Sequence, residues 1–186
     1  MAYLRTSGMK SLPPHGHIVQ TKYIISSTRV SATHTTWTEP SSSYRVSITP
    51  KYGTSRIIVS YQLCFNQNSA ANILHLLRAF RIIAGGSKEY NLESRGDSNG
   101  TRHQVAGGTF RPSNGTDGND QNMEFLYVMD HPNTNLAVVY GFEDYPQGTN
   151  TTTWGYSGVD NSTWGYDTDI VITATEVKQA RGVSAG

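Results

Sequence analysis

The sequence is short of the residues that mark several common classes of protein. It has a single cysteine, Cys64, in 186 residues, which excludes an internal disulfide framework and a zinc site built from several cysteines. Charged residues make up 16% and the formal net charge is +1, so the chain offers no basic field to a nucleic-acid backbone. No run approaches the roughly 18 apolar residues of a membrane span. These shortages predict a protein with neither a nucleic-acid nor a membrane partner.

Small polar residues and aromatic residues take the place of charge. Ser, Thr, Asn and Gly account for 70 of the 186 residues, alongside 11 Tyr, 5 Phe and 3 Trp. A disordered chain needs high charge and few aromatics, whereas Thr and Tyr, with Val and Ile, suit half-buried strands. The composition therefore predicts one soluble, β-rich domain.

Short segments of alternating apolar and polar residues begin near residue 18 and are separated by turn signals. In residues 56–65 (RIIVSYQLCF) every second side chain is apolar and is predicted to face the core: Ile57, Val59, Tyr61, Leu63 and Phe65. Residues 73–84 fit a helix by length or a strand by alternation, and the following Gly85-Gly86 turn favours a strand. Residues 123–129 and 136–142 are predicted to be strands that pair with each other.

The number of such segments, eight to ten, predicts an all-β fold: a jelly-roll-like antiparallel β-sandwich with an extended N-terminal arm. We assign residues 1–17 to the arm, 18–178 to the β-sandwich domain and 179–186 to a flexible tail. Pro13-Pro14 favour extended backbone in the arm, and no apolar core follows its basic residues, so it does not read as a secretory signal. The residues predicted to dock the arm on a neighbour are its apolar ones: Tyr3, Leu4, Met9 and Leu12.

No motif in the sequence indicates a catalytic site, and we predict that the chain is not an enzyme and uses no cofactor or metal. It has no Gly-x-Ser-x-Gly elbow and no phosphate-binding loop. His15 and His17 could coordinate a metal ion, and the oxygen-rich residues 117–120 could bind calcium. The preferred interpretations are an ordinary linker and a solvated loop. Residues 95–97 (RGD) match an adhesion tripeptide but are equally a turn signal.

The most unusual local feature is a repeated Thr-Trp-Gly-Tyr, at residues 153–156 and again at 163–166. Large rings in a polar segment have three interpretations. They pack across a hairpin onto the sandwich, they form a subunit interface, or they stack on a glycan. The predicted interface or glycan contacts are the four rings Trp154, Tyr156, Trp164 and Tyr166.

A series of short motifs resembles, in order and spacing, the β-sandwich modules in structural proteins of tailed phages, particularly marine and cyanobacterial ones. The motifs are GHIVQ at 16–20, the Ser/Thr-rich strand at 26–37, SITP at 47–50, SRIIV at 55–59, Leu76 to Arg78 before Gly85-Gly86, YVMDHPNT at 127–134, the aliphatic-aromatic strand at 137–140 and ITATEV at 172–177. Together they span residues 16–178.

The resemblance implies a virion protein on the capsid surface, a decoration or cement protein of the knob type that is homotrimeric and binds the major capsid protein. Fibre proteins have a long attachment region, whereas this chain has a 17-residue arm, so we expect the module to be the whole protein. The alternative is a receptor-binding module at the tip of a tail or head fibre, which would read a host surface glycan through the four rings.

Overall fold

Antiparallel strands make up most of the structure, a computed structural model that describes residues 16–68, 73–92, 107–111, 121–146, 150–155 and 168–179. The strands are β1 (Ile18–Ser26), β2 (Val30–His34), β3 (Val46–Ile48), β4 (Arg56–Asn68), β5 (Ile73–Ile83), β6 (Lys88–Glu89), β7 (Gly107–Arg111), β8 (Gln121–Asp130), β9 (Val138–Pro146), β10 (Asn150–Trp154) and β11 (Ile170–Val177). Within these ranges the only helical element is the 3-10 turn Ser42–Tyr44. The predicted tail residues 180–186 and arm residues 1–15 lie outside the described residues.

The strands form two sheets with the order of a jelly roll. In sheet A the strands follow the order β1-β11-β4-β10-β2, and β8 also pairs with β4. In sheet B the order is β3-β9-β5-β6, and β7 also pairs with β5. When β2, β6 and β10, which extend the two sheets beyond eight strands, are set aside, the sheets read β1-β11-β4-β8 and β3-β9-β5-β7. This is the arrangement of two interlocked Greek keys in an eight-stranded jelly roll. The predicted all-β, jelly-roll-like sandwich is thus confirmed.

The core lies between the two sheets and is built by strand alternation. The predicted core face of β4 is buried along its whole length. β11 adds its own inward face, and sheet B supplies the opposite wall: Ile170, Ile172 and Ala174 from β11, with Val46, Ile48, Leu77, Ala79, Val138, Tyr140 and Phe142 from sheet B. Each fully buried side chain of this kind contributes about 1.5–3 kcal/mol.

Residues 73–83 form a strand rather than a helix, as alternation predicted. β5 pairs with β9 from His75 to Ile83 and turns back into β6, so the predicted Gly85-Gly86 hairpin is confirmed. The predicted pairing of residues 123–129 with 136–142 is wrong. β8 pairs with β4 in sheet A, whereas β9 pairs with β3 and β5 in sheet B. Successive strands often pair, but here the connection crosses from one sheet to the other.

Glu176, near the end of β11, fixes the connection between β3 and β4. Its buried carboxylate accepts hydrogen bonds from the backbone N–H groups of Lys51 and Tyr52 and from the Ser55 hydroxyl, at 2.7 to 3.1 Å. Gln20 of β1 donates a further one at 2.7 Å. A buried carboxylate is tolerated because its oxygens are hydrogen-bonded. These bonds link β11 to β1 and to the connection that leads into β4.

Candidate assembly surface

The central part of the surface of sheet A that faces away from the core carries apolar and uncharged polar side chains. The pairing registers place β1, β11, β4 and β8 side by side and align their outward residues in three rows. The first row is Ile25, Val171, Gln62 and Phe125; the second is Tyr23, Thr173, Ser60 and Tyr127; the third is Thr21, Thr175, Ile58 and Met129. We call these twelve residues the outer face. None of them carries a charge at neutral pH.

Six large side chains of the outer face are open to solvent. Tyr127 is 70% exposed and Tyr23 is 66% exposed. The other four range from 37% to 59%: Ile25, Ile58, Phe125 and Met129. Single exposed apolar residues are normal on a protein surface, but a contiguous patch of them marks a site of interaction.

Side-chain size changes regularly across the outer face. Large rings lie on the edge strands β1 and β8, whereas Ser60 and Thr173 lie between them in the second row. The short side chains leave a groove of about 190 Å³ beside β8, with Phe125 and Tyr127 on one side and Val171 on the other. A cavity of roughly 150 Å³ holds a benzene ring, so this groove has room for one aromatic side chain.

Sheet B presents a different outer surface, on which charged side chains form a network. Glu143 contacts Arg78 at 2.6 Å and Lys88 at 2.8 Å, and Lys88 also contacts Glu39 at 2.8 Å. Burial alone raises the pKa of Glu143, but the contacts with Lys88 and Arg78 outweigh it and lower the pKa. The network therefore stays ionised at neutral pH, and the two outer surfaces of the sandwich differ in their chemistry.

Beneath this network the Phe80 ring lies on Gly141 of the neighbouring strand. Lys88 Nζ is 4.5 Å from the ring centroid, and the Arg45 guanidinium is 5.7 Å from it. A Cβ atom on Gly141 would come within 2.5 Å of the ring. Glycine at this position therefore lets the ring lie on the sheet under its two cations.

A buried carboxylate, Asp144 of β9, ties the two sheets together. Its two oxygens lie 3.0 Å from His34 Nε2 in β2 of sheet A and 3.0 Å from His75 Nε2 in β5 of sheet B. Burial alone raises the pKa of Asp144, but the histidine contacts lower it. The same carboxylate is the main cause of the raised pKa of His34 and outweighs the opposing effect of burial. The tie is therefore strongest when Asp144 is ionised and His34 is protonated.

Trp154 is fully buried, so the prediction that it contacts a glycan or another subunit is wrong. Its ring centroid lies 4.9 Å from that of Phe65 and 5.0 Å from that of Phe142. Gly155 follows with φ of +81°, and a Cβ there would come 2.8 Å from the carbonyl oxygen of Thr28. For the first Trp-Gly unit, packing onto the sandwich is the correct interpretation, because the glycine allows the turn that leaves the indole in the core.

The other predicted contact residues lie outside the described residues: Tyr3, Leu4, Met9, Leu12, Tyr156, Trp164 and Tyr166. In the described part of the chain, no group of three or more His, Cys, Asp or Glu side chains is arranged to hold a metal ion. The same part contains no helix of the length and hydropathy needed to cross a membrane.

No family model matches the chain, and no curated protein matches it significantly.

The sequence predictions did not include the outer face, although one signal of it was present. A strand with one solvated face alternates apolar and polar residues. Residues 123–129 (MEFLYVM) are apolar at every position except Glu124. Leu126 and Val128 fill the core, so the loss of alternation arises from apolar residues that point outward.

Proposed function

We propose that this chain is a non-enzymatic structural protein of a phage virion, a capsid decoration or cement protein, and that the outer face of sheet A is an assembly surface. The observation that carries the proposal is the uncharged outer face, with six large side chains 37% to 70% exposed. Such a surface favours contact with another protein over solvent. The motif resemblance to phage β-sandwich modules supplies the biological setting.

The fold suits a module that bridges other proteins. The outer face belongs to a sheet whose other side is packed into the core, so its residues are held in place before any contact forms. Thr21, Thr173 and Thr175 add stiff, β-branched side chains. A surface that is ordered in advance loses little conformational entropy on binding. Many copies that each bridge neighbouring capsid subunits would together resist outward pressure without any single strong bond.

In this proposal residues 1–17 form an arm that docks on the major capsid protein. Its apolar side chains, Tyr3, Leu4, Met9 and Leu12, would enter a groove of a neighbouring subunit. Each such side chain contributes about 1.5–3 kcal/mol when fully buried. The protein then sits on the head of the particle, and the homotrimer implied by the resemblance presents three arms to the capsid.

Antibody labelling of intact particles tests the proposal. Gold-labelled antibody against the purified chain is expected to decorate the whole head in electron micrographs. Label confined to the tail, or absent from particles, contradicts it. For the arm, particles are incubated with a chain that lacks residues 2–14, and with a control that lacks residues 180–186. We expect the first to lose occupancy and the second to keep it; full occupancy by the first contradicts arm docking.

A further inference from the structure

The outer face of sheet A leaves large apolar side chains exposed that a partner would bury, and a second copy of the chain offers a matching surface. We propose that the outer face binds a second copy of this chain, and that Tyr23 of one copy enters the groove beside Tyr127 of the other. This assignment rests on the proposed structural function and names the partner of its assembly surface.

The size of the exposed patch fits an interface between proteins. At about 200 Å² for each large side chain, the exposed fractions of the six side chains leave roughly 650 Å² open. The largest patch on a typical monomer is about 300–600 Å², and one side of a standard interface buries about 800 Å². The hydroxyl side chains between the rings add further area. The outer face alone therefore supplies one side of a stable interface.

Strand β8, at one edge of the outer face, lacks the lysine, proline and bulge that commonly protect an edge strand. Among the described residues it pairs only with β4, in a continuous register over ten residues. Edge strands are commonly protected by lysine, proline or a bulge, and Gln121–Asp130 contains no lysine or proline. At the opposite edge, β1 carries Lys22 and an irregular register between Ile18 and Gln20. Its charged residues are Glu124, which pairs with the core-facing Leu63, and the terminal Asp130, so the outer-face positions of this edge are apolar and are expected to be covered in the assembled protein.

The features that would fit together lie at opposite edges of the same face. Tyr23 projects from β1 and is 66% exposed, whereas the groove of about 190 Å³ lies beside β8. Contacts between a knob and a groove on one chain are satisfied by two-fold pairing or by a closed ring of copies. Selection of a different protein usually relies on complementary charges. The twelve outer-face positions carry none, so two identical faces meet without repulsion.

Sedimentation velocity of the purified full-length chain tests the assignment. Tyr23→Thr and Tyr127→Thr remove the rings and replace them with threonine, which already occupies outer-face positions in β1 and β11. We expect an oligomer for the parent chain and an association constant lower by about 30-fold or more for each variant, the effect of removing a central aromatic contact. Leu136→Thr, at a 57% exposed position outside the face, is the control and is expected to leave association unchanged. Circular dichroism checks that each variant is folded.

Cysteine cross-linking identifies the surface that meets Tyr23. Cys64 is fully buried, so a cysteine introduced on the surface is the reactive one. A mixture of Thr21→Cys and Ser60→Cys chains, which keeps both tyrosine rings and places the first cysteine beside Tyr23 on the outer face of β1, is expected to give a disulfide-linked dimer on mild oxidation, while a mixture of Leu136→Cys and Ser60→Cys chains is expected to give none. Equal yields from the two mixtures overturn the assignment.

Three further outcomes of the sedimentation experiment overturn it. The first is a monomeric parent chain, and the second is an oligomer whose association constant is the same in both tyrosine variants as in the parent. The third is an oligomer that dissociates only when residues 2–14 are deleted, since the arm then makes the contact. The results do not depend on particles. If the chain is monomeric but still decorates the capsid, this inference is wrong and the proposed function stands. If the chain is an oligomer but is absent from particles, the proposed function is wrong and this inference stands.

Discussion

Replacing Trp154 with alanine removes the largest fully buried side chain of the described core. The indole is 0% exposed and lies within 5.6 Å, between ring centroids, of Phe65, Phe142 and His75. Its Nε1 makes no hydrogen bond within the described residues, so the loss is one of packing alone. Truncation of a buried aromatic residue to alanine costs about 3–5 kcal/mol. Since domains are typically stable by about 5–15 kcal/mol, Trp154→Ala is expected to remove a large share of the free energy of unfolding.

Urea unfolding followed by far-UV circular dichroism measures this cost. Leu136→Ala, at a 57% exposed position, is the control and is expected to change the free energy of unfolding by about 0.5 kcal/mol or less. Trp154→Phe keeps one ring of the cluster and is expected to fall between the two. A loss below about 1 kcal/mol for Trp154→Ala would refute the burial argument and restore Trp154 as a candidate surface contact.

Three further predictions concern the sheets and their ties. Gly141→Ala is expected to lower the free energy of unfolding in urea by about 1–3 kcal/mol, because the new Cβ meets the Phe80 ring at 2.5 Å; an unchanged midpoint would contradict that contact. Glu176→Gln is expected to cost about 2–4 kcal/mol in the same assay, because the amide keeps one acceptor oxygen and its NH2 group then faces a donor, either the Gln20 amide or the backbone N–H groups that now find a carboxylate. The Asp144 tie predicts a pH dependence. A raised pKa makes His34 contribute fully below its unfolded value of 6.5, and the contribution is lost as the pH rises through the folded value. The lowered pKa of Asp144 makes its contribution present above 3.8 and lost as the pH falls through the folded value. The stability difference between the parent and His34→Gln should therefore be largest between the unfolded pKa values of 3.8 and 6.5 and shrink as the pH rises through the raised folded pKa of His34; a difference that does not change with pH would contradict the tie.

The sequence predicted those parts of the fold that depend on local alternation. In residues 57 to 65 every second side chain is apolar, with Ile58 and Cys64 as additional apolar residues on the opposite side, and the structure buries the predicted side of that strand. Residues 73–83 were open to two interpretations, and alternation followed by a glycine turn gave the correct one. The period of a strand is fixed by backbone geometry alone, so a single sequence carries this information.

Pairing between strands did not follow from the same patterns. β8 has apolar residues on both sides, so its sequence fits β4 or β9 equally well, and the pairing depends on where the chain crosses between sheets. The Asp144 tie joins residues as far apart as 34 and 144, and no local spacing marks such a contact. Trp154 was predicted near the surface because its segment is polar. Its neighbours Phe65 and Phe142 come from other strands and enclose it.

The low charge of the sequence takes on a structural meaning once the two outer surfaces are compared. On sheet B the ion pairs of Arg45, Arg78 and Lys88 with Glu39 and Glu143 cover the strands and bury Phe80. On sheet A the twelve outer-face positions hold apolar, hydroxyl and amide side chains and no charge. If the low charge of the chain served only to prevent interactions with other molecules, both outer surfaces would carry few charged side chains. Instead one surface completes its own interactions within the chain, whereas the other leaves six large side chains in solvent. Because burial of apolar area is the main favourable term in association, the exposed side chains of the outer face are what makes sheet A, rather than sheet B, the proposed assembly surface.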